Sequence, residues 1–356
     1  MSHEILVEKL RCYGIRGVVL DLMKSYLENR SQYTQYKEKS SRLKSIRLGV
    51  PQGSILGPFL FNAFINDICN IPGARSILYA DDAVFYISCK SINGCVESMN
   101  KFIARLNSWL RNNMLTPNIN RTKVMMFGPF FNEIDLPIIY FNNNPIEWVN
   151  KFNYLGFNID NKLLFRNHVD AVVSRISMGH GVIHRLSRFM PQHMLLSIFY
   201  ALVYPHLTNN VIVWGGGPPS RLNRVKVALN KVLRTILKVK YDSNHVPLMQ
   251  TAAMYNSLNI LSFENLYKFC IGVFSYSVLY GNNSNLFDAI FAPNLANHHY
   301  ATRNAQFNIP RIRLDIERHG TIYNCIKVMN DLPSEMLFPM SLNIFKKKLK
   351  RHFTIN

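Results

Sequence analysis

The 356-residue chain is 48% hydrophobic and carries 41 Lys and Arg against 21 Asp and Glu, a formal net charge of +20. That hydrophobic content excludes a disordered or low-complexity polypeptide, and the length suffices for two or three domains. The positive excess fits a polyanionic partner, because each neutralised phosphate releases counterions.

Residues 4–12 carry Ile5, Leu6 and Leu10 at helical spacing and stop at Gly14. A second helix is expected from about 17 to 29, with Val18, Leu22 and Leu27 on its apolar side and Asp21 on its surface. Residues 32–37 and 43–50 bracket the polar stretch 38–42, which predicts a hairpin. Pro51-Gln52-Gly53-Ser54 then makes a bend in which Gly53 allows close backbone approach to a ligand. The apolar segment 59–69 has helical length, with Pro58 in its first turn or two.

Tyr79-Ala80-Asp81-Asp82 lies between two apolar runs, 76–80 and 83–88, a pattern that predicts a hairpin with the acid pair at its tip. Extended chain alternates its faces, so Asp81 and Asp82 should not point the same way, and one of them is expected to be the direct metal ligand. Taken alone, two adjacent aspartates are an ordinary polar turn. Residues 92–112 form an amphipathic helix with Met99, Phe102, Leu106, Trp109 and Leu110, where Trp109 reads as core. Asn118-Ile119-Asn120-Arg121-Thr122-Lys123 leads into an expected strand over 124–127, and residues 137–141 and 146–149 flank Asn142-Asn143-Asn144 as a second hairpin.

Taken together, these segments resemble the palm of a reverse transcriptase, specifically that of non-LTR, LINE-like, jockey-type retrotransposons. Gly49-Val50-Pro51-Gln52-Gly53-Ser54-Ile55-Leu56-Gly57-Pro58 resembles the family's Pro-Gln-Gly segment, and Tyr79–Asp82 its Tyr-x-Asp-Asp box. Asn118–Lys123 resembles the next palm motif, where Asn-x-x-Lys-Thr-Lys is usual and Arg121 here replaces the first lysine. Phe152-Asn153-Tyr154-Leu155-Gly156-Phe157 resembles the primer-grip motif, which holds the primer end, and Asp160 reads as a turn residue beyond it.

The resemblance implies an RNA-directed DNA polymerase working with Mg²⁺, or Mn²⁺, on an RNA template, a DNA primer, their RNA–DNA heteroduplex and deoxynucleoside triphosphates. It implies Asp81 and Asp82 as catalytic and metal-binding, with Pro51, Gln52, Gly53, Ser54, Tyr79 and Lys123 at the nucleotide and template. Tyr154, Leu155 and Gly156 would form the primer grip. A lysine beside the leaving pyrophosphate could act as general acid, a role that suits Lys123 better than Arg121; a solvated basic turn is the other reading. The segment from His3 to Arg30 resembles the stretch that lies between the family's first catalytic strand and its Pro-Gln-Gly segment. That strand and its aspartate are therefore expected to be missing, together with the fingers, and the chain is expected not to polymerise by itself. The alternative is a non-catalytic, basic nucleic-acid-binding remnant.

From about residue 164 the pattern becomes helical. A helix over 168–189 carries Val169, Val172, Val173, Ile176, Ile183 and Leu186 with interspersed arginines. Residues 190–210 read as the next helix, followed by 211–217, a turn at Pro218-Pro219 and a basic helix over 222–240. Arg and Lys along helices suit a polymerase thumb against duplex phosphates, and equally a solvated helical face. Residues 258–280 read as helical, 282–285 as a loop, and 298–313 as a polar connection. The tail 342–353 sets Lys346, Lys347, Lys348, Lys350 and Arg351 against Ile344, Phe345 and Leu349.

The expected fold is α+β: a partial palm of antiparallel strands and helices over 1–161, a helical thumb-like region over 162–240 and a helical C-terminal region over 241–356. The six cysteines have no zinc-ligand spacing and are expected to be reduced and mostly in the core. Met1-Ser2-His3-Glu4 is no signal peptide and no apolar run reaches membrane-span length, so an intracellular protein of nucleus or cytoplasm is expected, with no membrane partner.

Overall fold

The computed structural model describes residues 1–128, 136–242, 247–281, 290–291 and 307–355. It divides the chain into two units, Met1–Asn150 and Lys151–Asn356. The fold is mixed α+β, with small sheets among helices in the first unit and mostly helices in the second.

In the first unit, α1 (His3–Cys12) and α2 (Gly17–Leu27) are followed by four short strands, β1 (Ser31–Gln32), β2 (Gln35–Tyr36), β3 (Lys39–Ser40) and β4 (Lys44–Ser45). Next come α3 (Leu56–Ile65), continued by a 3₁₀ turn Asn66–Asn70, and the strands β5 (Arg75–Tyr79) and β6 (Asp82–Tyr86). The long helix α4 (Ile92–Asn112) leads to β7 (Lys123–Val124), β8 (Ile139–Phe141) and β9 (Asn144–Trp148). Instead of one continuous antiparallel sheet, the strands form separate small ladders, and β9 pairs antiparallel with β8 but parallel with β7. The strand expected over 124–127 is only Lys123–Val124.

Two apolar clusters support this unit. Leu6 and Leu10 of α1, Leu20, Met23 and Leu27 of α2, and Leu60 and Phe64 of α3 make one. The α2 stripe differs from the expected one: Val18 is 85% and Leu22 60% exposed, and only Leu27 is common to both. Asp21 is a surface residue, 3.6 Å from Lys24 Nζ. The second cluster joins Val96, Phe102, Ile103 and Leu106 of α4 to Ile139, Phe141 and Ile146 of the β8–β9 hairpin, with Trp109 packed at its edge. Asn142 and Asn143 both have positive φ in that hairpin's two-residue turn, the conformation asparagine tolerates best after glycine. Lys9 ties the clusters together. Its Nζ donates to Phe64 O at 2.7 Å and Asp67 Oδ1 at 2.6 Å, and lies 4.6 Å from the Phe64 ring centroid and 4.9 Å from that of Trp109.

The second unit opens with the hairpin β10 (Lys151–Tyr154) and β11 (Phe157–Asp160), followed by α5 (Arg166–Leu186). The stretch read as one helix over 190–210 is two, α6 (Gln192–Leu202) and α7 (Tyr204–Thr208), because Pro205 begins a new first turn. A short α8 (Val211–Trp214) precedes α9 (Pro219–Ile236), whose first residue is Pro219, so the Pro218-Pro219 turn is a helix start. The stretch 258–280 is helical only from Phe263: α10 (Thr251–Ser257) ends just before it, and α11 (Phe263–Tyr280) begins where Ser262 Oγ accepts the Asn265 N–H. Then come α12 (Asp315–Arg318), α13 (Thr321–Asp331) and α14 (Leu342–Ile355).

The core of this unit is continuous. Val169, Val172, Ile176 and Ile183 of α5 meet Val225, Leu229, Val232 and Leu233 of α9, and Phe345 and Leu349 of α14 are fully covered. Phe345 stacks on Tyr276 of α11 at 3.9 Å between ring centroids. Ile344, expected on that apolar side, is 50% exposed. All six cysteines are free, but only Cys325 is buried, and Cys12, Cys69 and Cys89 are exposed, so the expectation of a mostly core set does not hold. The loop read at 282–285 and part of the connection read at 298–313 lie outside the described residues.

Candidate active site

The acid pair sits where period-two alternation stops. β5 and β6 pair antiparallel with Leu78 opposite Ala83 and Tyr79 opposite Asp82, leaving Ala80 and Asp81 as the two-residue turn. Ala80 has φ 50°, in the left-handed region that two-residue hairpins require and that a Cβ makes costly. Cross-strand partners share a face. One face carries Leu78, Phe85 and Ile87 onto the α4 cluster, with the Phe85 and Phe102 rings 4.9 Å apart. The other face carries Tyr79, Asp82, Ile77 and Tyr86 and stays open, all four being exposed.

Asp81 and Asp82 are both exposed, and no cation among the described residues pairs with either. Adjacent carboxylates supply hard oxygen donors, the type Mg²⁺ takes with one or two carboxylates, water and substrate phosphates. The pair fits such an ion as a partial donor set. Among the described residues, no group of three His, Cys, Asp or Glu side chains could hold a metal ion.

The Pro51–Ser54 bend is built by its own side chains. Ser54 Oγ donates to Pro51 O at 2.7 Å and accepts the Gly57 N–H at 3.1 Å, which fixes the turn against the start of α3. Gly53 has φ 79°, natural for glycine at this point of a turn. A Cβ at Gly57 would lie 2.9 Å from Ser54 Oγ and 3.2 Å from Pro51 O, so the bend needs glycine there too. The segment is anchored to the start of α1 by the Gly49 N–H to Met1 O bond at 2.8 Å and by His3 Nε2 against Gly49 O at 2.8 Å. Ser54 is thus occupied by structure, whereas Gln52 is exposed.

Lys123 stands beside Glu147 across the parallel β7–β9 pair, with its Nζ 2.6 Å from Glu147 Oε2. The ladder that holds it is separate from that of the acid hairpin. Sequence reasoning missed Glu147 as its partner, since parallel pairing across 24 residues leaves no local pattern. It also missed the open face of Ile77 and Tyr86, which the alternation around Tyr79 contained.

The Tyr154-Leu155-Gly156 segment belongs to the second unit. It forms the β10–β11 turn, where Leu155 (φ 50°) and Gly156 (φ 76°) are both left-handed and Leu155 is exposed at the tip. Asp160, at the end of β11, accepts the backbone N–H groups of Lys162, Leu164 and Phe165. It thereby fixes a turn in which Leu163 and Phe165 have positive φ just before α5. Helices α5 and α9 run side by side in the same direction: Arg224 pairs with Asp170 near their starts, and His180 Nε2 meets Thr235 Oγ1 at 2.9 Å near their ends. The groove between them, about 290 Å³, is lined by Ser177, His180, Arg224, Val227 and Lys231. Burial lowers the His180 pKa, with His184 and Lys231 adding to the shift, which favours the uncharged imidazole. No helix among the described residues is long and apolar enough to cross a membrane.

Residues 1–159 match the family model described as reverse transcriptase (RNA-dependent DNA polymerase). The chain is similar to the probable RNA-directed DNA polymerase from transposon BS of Drosophila melanogaster, 26% identical over 262 residues, which covers 67% of this chain and 28% of the relative. It is also similar to the RNA-directed DNA polymerase from mobile element jockey of the same fly, 26% identical over 230 residues, 60% of this chain and 24% of the relative. The probable polymerase from transposon X-element of that species matches at 23% over 250 residues, 67% and 27% of the two chains. The matched stretch spans about a quarter of the length of these relatives.

Proposed function

Residues 1–159 are a reverse transcriptase domain with distant homology to the RNA-directed DNA polymerases of jockey-type non-LTR mobile elements, and on that premise we propose that the β5–β6 hairpin is the catalytic tip of an RNA-templated DNA polymerase palm. The observation that carries this reading is the position of Asp81 and Asp82: adjacent, exposed and unpaired at a hairpin tip whose other face is anchored on α4. In nucleotide addition the primer 3′-hydroxyl oxygen attacks the α-phosphorus of a deoxynucleoside triphosphate. The bond to pyrophosphate breaks and the hydroxyl proton departs. Bound at Asp81 and Asp82, Mg²⁺ or Mn²⁺ would supply neutralisation of phosphate charge and ease loss of that proton.

The chain's own residues take the remaining tasks in this reading. Gln52 and Gly53 flank the incoming nucleotide and template base, with Pro51 and Ser54 holding the bend that presents them. Tyr79 and Asp82 share the open face of the hairpin. Lys123 is held by Glu147 in the absence of substrate and is the candidate proton donor to pyrophosphate. Tyr154, Leu155 and Gly156 form the primer grip, and the basic groove of α5 and α9 receives duplex phosphates. The partners are therefore an RNA template, a DNA primer and deoxynucleoside triphosphates, within the cell.

Among the described residues Asp81 and Asp82 have no third carboxylate, His or Cys beside them, a partial set for a two-metal site, and in this reading the polypeptide is expected to bind primer–template without extending it. The same observation favours a second reading, a binding protein that has lost catalysis. Primer extension on an RNA template with Mg²⁺ tests the first statement. No incorporation is expected, and incorporation abolished by Asp81→Ala would refute it. Heteroduplex affinity that falls steeply with salt is expected in both readings, and its absence would refute both.

A further inference from the structure

Residues 28–45 are exposed without interruption, yet they form regular structure. Gln32 faces Lys44 where β1 pairs with β4, and Tyr36 faces Lys39 where β2 pairs with β3. The Ser41 N–H donates to Thr34 O at 2.9 Å between these two pairs, so the four strands make one continuous ribbon. Its register slips by one residue. Arg42 and Leu43 together oppose Tyr33, which is a β-bulge and bends the ribbon. An isolated two-stranded ribbon gains little from its own ladder in water, and none of these strand residues is buried against the unit that carries them. Packing therefore gives no reason for this element.

Its chemistry gives one. Residues 30–47 hold six cations, Arg30, Lys37, Lys39, Arg42, Lys44 and Arg47, and one acid, Glu38, with Glu28 just before them. None of the six forms an ion pair with a described acid. Tyr33 is 58% and Tyr36 73% exposed. Each ring lies among cations: Tyr36 faces Lys39, with Lys37 Nζ 5.6 Å from its centroid, and Tyr33 faces the bulge that holds Arg42. Exposed aromatic rings interleaved with unpaired cations match what a single strand offers, unpaired bases to stack and phosphates to neutralise. Paired bases of a duplex are not free to stack on such rings. Tyr33, Tyr36 and Leu43 are set among polar and charged neighbours and do not form the continuous apolar face that a membrane-surface element inserts.

We propose that the ribbon of residues 30–47 is a docking surface for single-stranded nucleic acid, with its cations on the phosphates and Tyr33 and Tyr36 stacked on bases. This goes beyond the catalytic reading and does not depend on it.

The test uses the full chain in EDTA, with fluorescence anisotropy of a labelled single-stranded RNA, a DNA of the same sequence and the corresponding duplex, across a salt series. Replacing Lys37, Lys39, Arg42 and Lys44 together by Gln should lower the slope of log affinity against log salt by up to about 3, since each phosphate contact on a single strand contributes about 0.7. Tyr33→Ala and Tyr36→Ala should each weaken single-strand binding roughly fivefold or more and spare the duplex. Glu38→Gln should tighten binding. Because the ribbon buries nothing, thermal unfolding should be unchanged in all of these variants. Unchanged slope and affinity in the quadruple variant would overturn the proposal. So would equal losses on duplex and single strand in the tyrosine variants.

Discussion

His168 gives the second unit an acid-sensitive core. It lies in the first turn of α5, is buried, and packs its ring 4.3 Å from Phe157 and 5.4 Å from Trp214 between centroids. The Asn158 N–H approaches Nδ1 at 3.5 Å, and Nε2 has no partner among the described residues. Burial, with the Arg175 charge adding to it, pushes the imidazole down to a pKa of about 4 from the usual 6.5. The unfolded chain therefore binds a proton at this residue over a range where the folded chain does not. Stability is complete above pH ~6.5, declines as pH falls, and levels off below pH ~4. At about 1.4 kcal/mol per pH unit the total loss is about 3 kcal/mol, a large part of a typical domain stability of about 5–15 kcal/mol.

His168→Phe keeps an aromatic ring between Phe157 and Trp214 and removes the titration. Urea unfolding of both proteins across this pH range should show the wild type losing about 3 kcal/mol more than the variant. Parallel pH profiles, or a His168 ring proton that titrates near pH ~6.5 in the folded protein by NMR, would refute the argument.

Two further substitutions test the packing around the site. Asp160→Ala strips three backbone N–H groups of their acceptor and frees the left-handed Leu163 and Phe165, so it should cost about 1–2 kcal/mol in thermal unfolding; Asp160→Asn should recover most of that, and equal losses in both would argue against the capping role. Lys9→Met removes the charge between the two clusters of the first unit while keeping an apolar stem, and should destabilise it by about 1–2 kcal/mol by chemical denaturation, a change within about 0.5 kcal/mol contradicting its linking role.

Where the sequence carries strict periodicity, the structure follows it closely. Ile92–Asn112 begins and ends as its pattern predicts, opened by Ser91 Oγ accepting the Gly94 N–H, and the acid hairpin sits where alternation stops at Ala80. The face of α2 was not readable in the same way. Val18, Val19, Leu20, Leu22 and Met23 offer several apolar stripes, and only packing against neighbouring helices selects Leu20, Met23 and Leu27. The break before α11 was signalled by Ser262 as a cap, inside an apolar run that hid it. At the candidate site, the acid pair is a local feature and was legible in the chain, whereas which face of its hairpin packs on α4 and the ion pair of Lys123 with Glu147 are set by tertiary packing and pairing and were not.

The central claim is that Asp81 and Asp82 form the metal-binding tip of a polymerase palm, and paramagnetic broadening by Mn²⁺ in the presence of primer–template and nucleotide tests it most directly. The account predicts selective broadening of the Ala80, Asp81, Asp82 and Ala83 amide resonances, lost in Asp81→Asn. Broadening that is absent from this turn, or that survives the substitution unchanged, would contradict it and leave the hairpin an ordinary acidic turn.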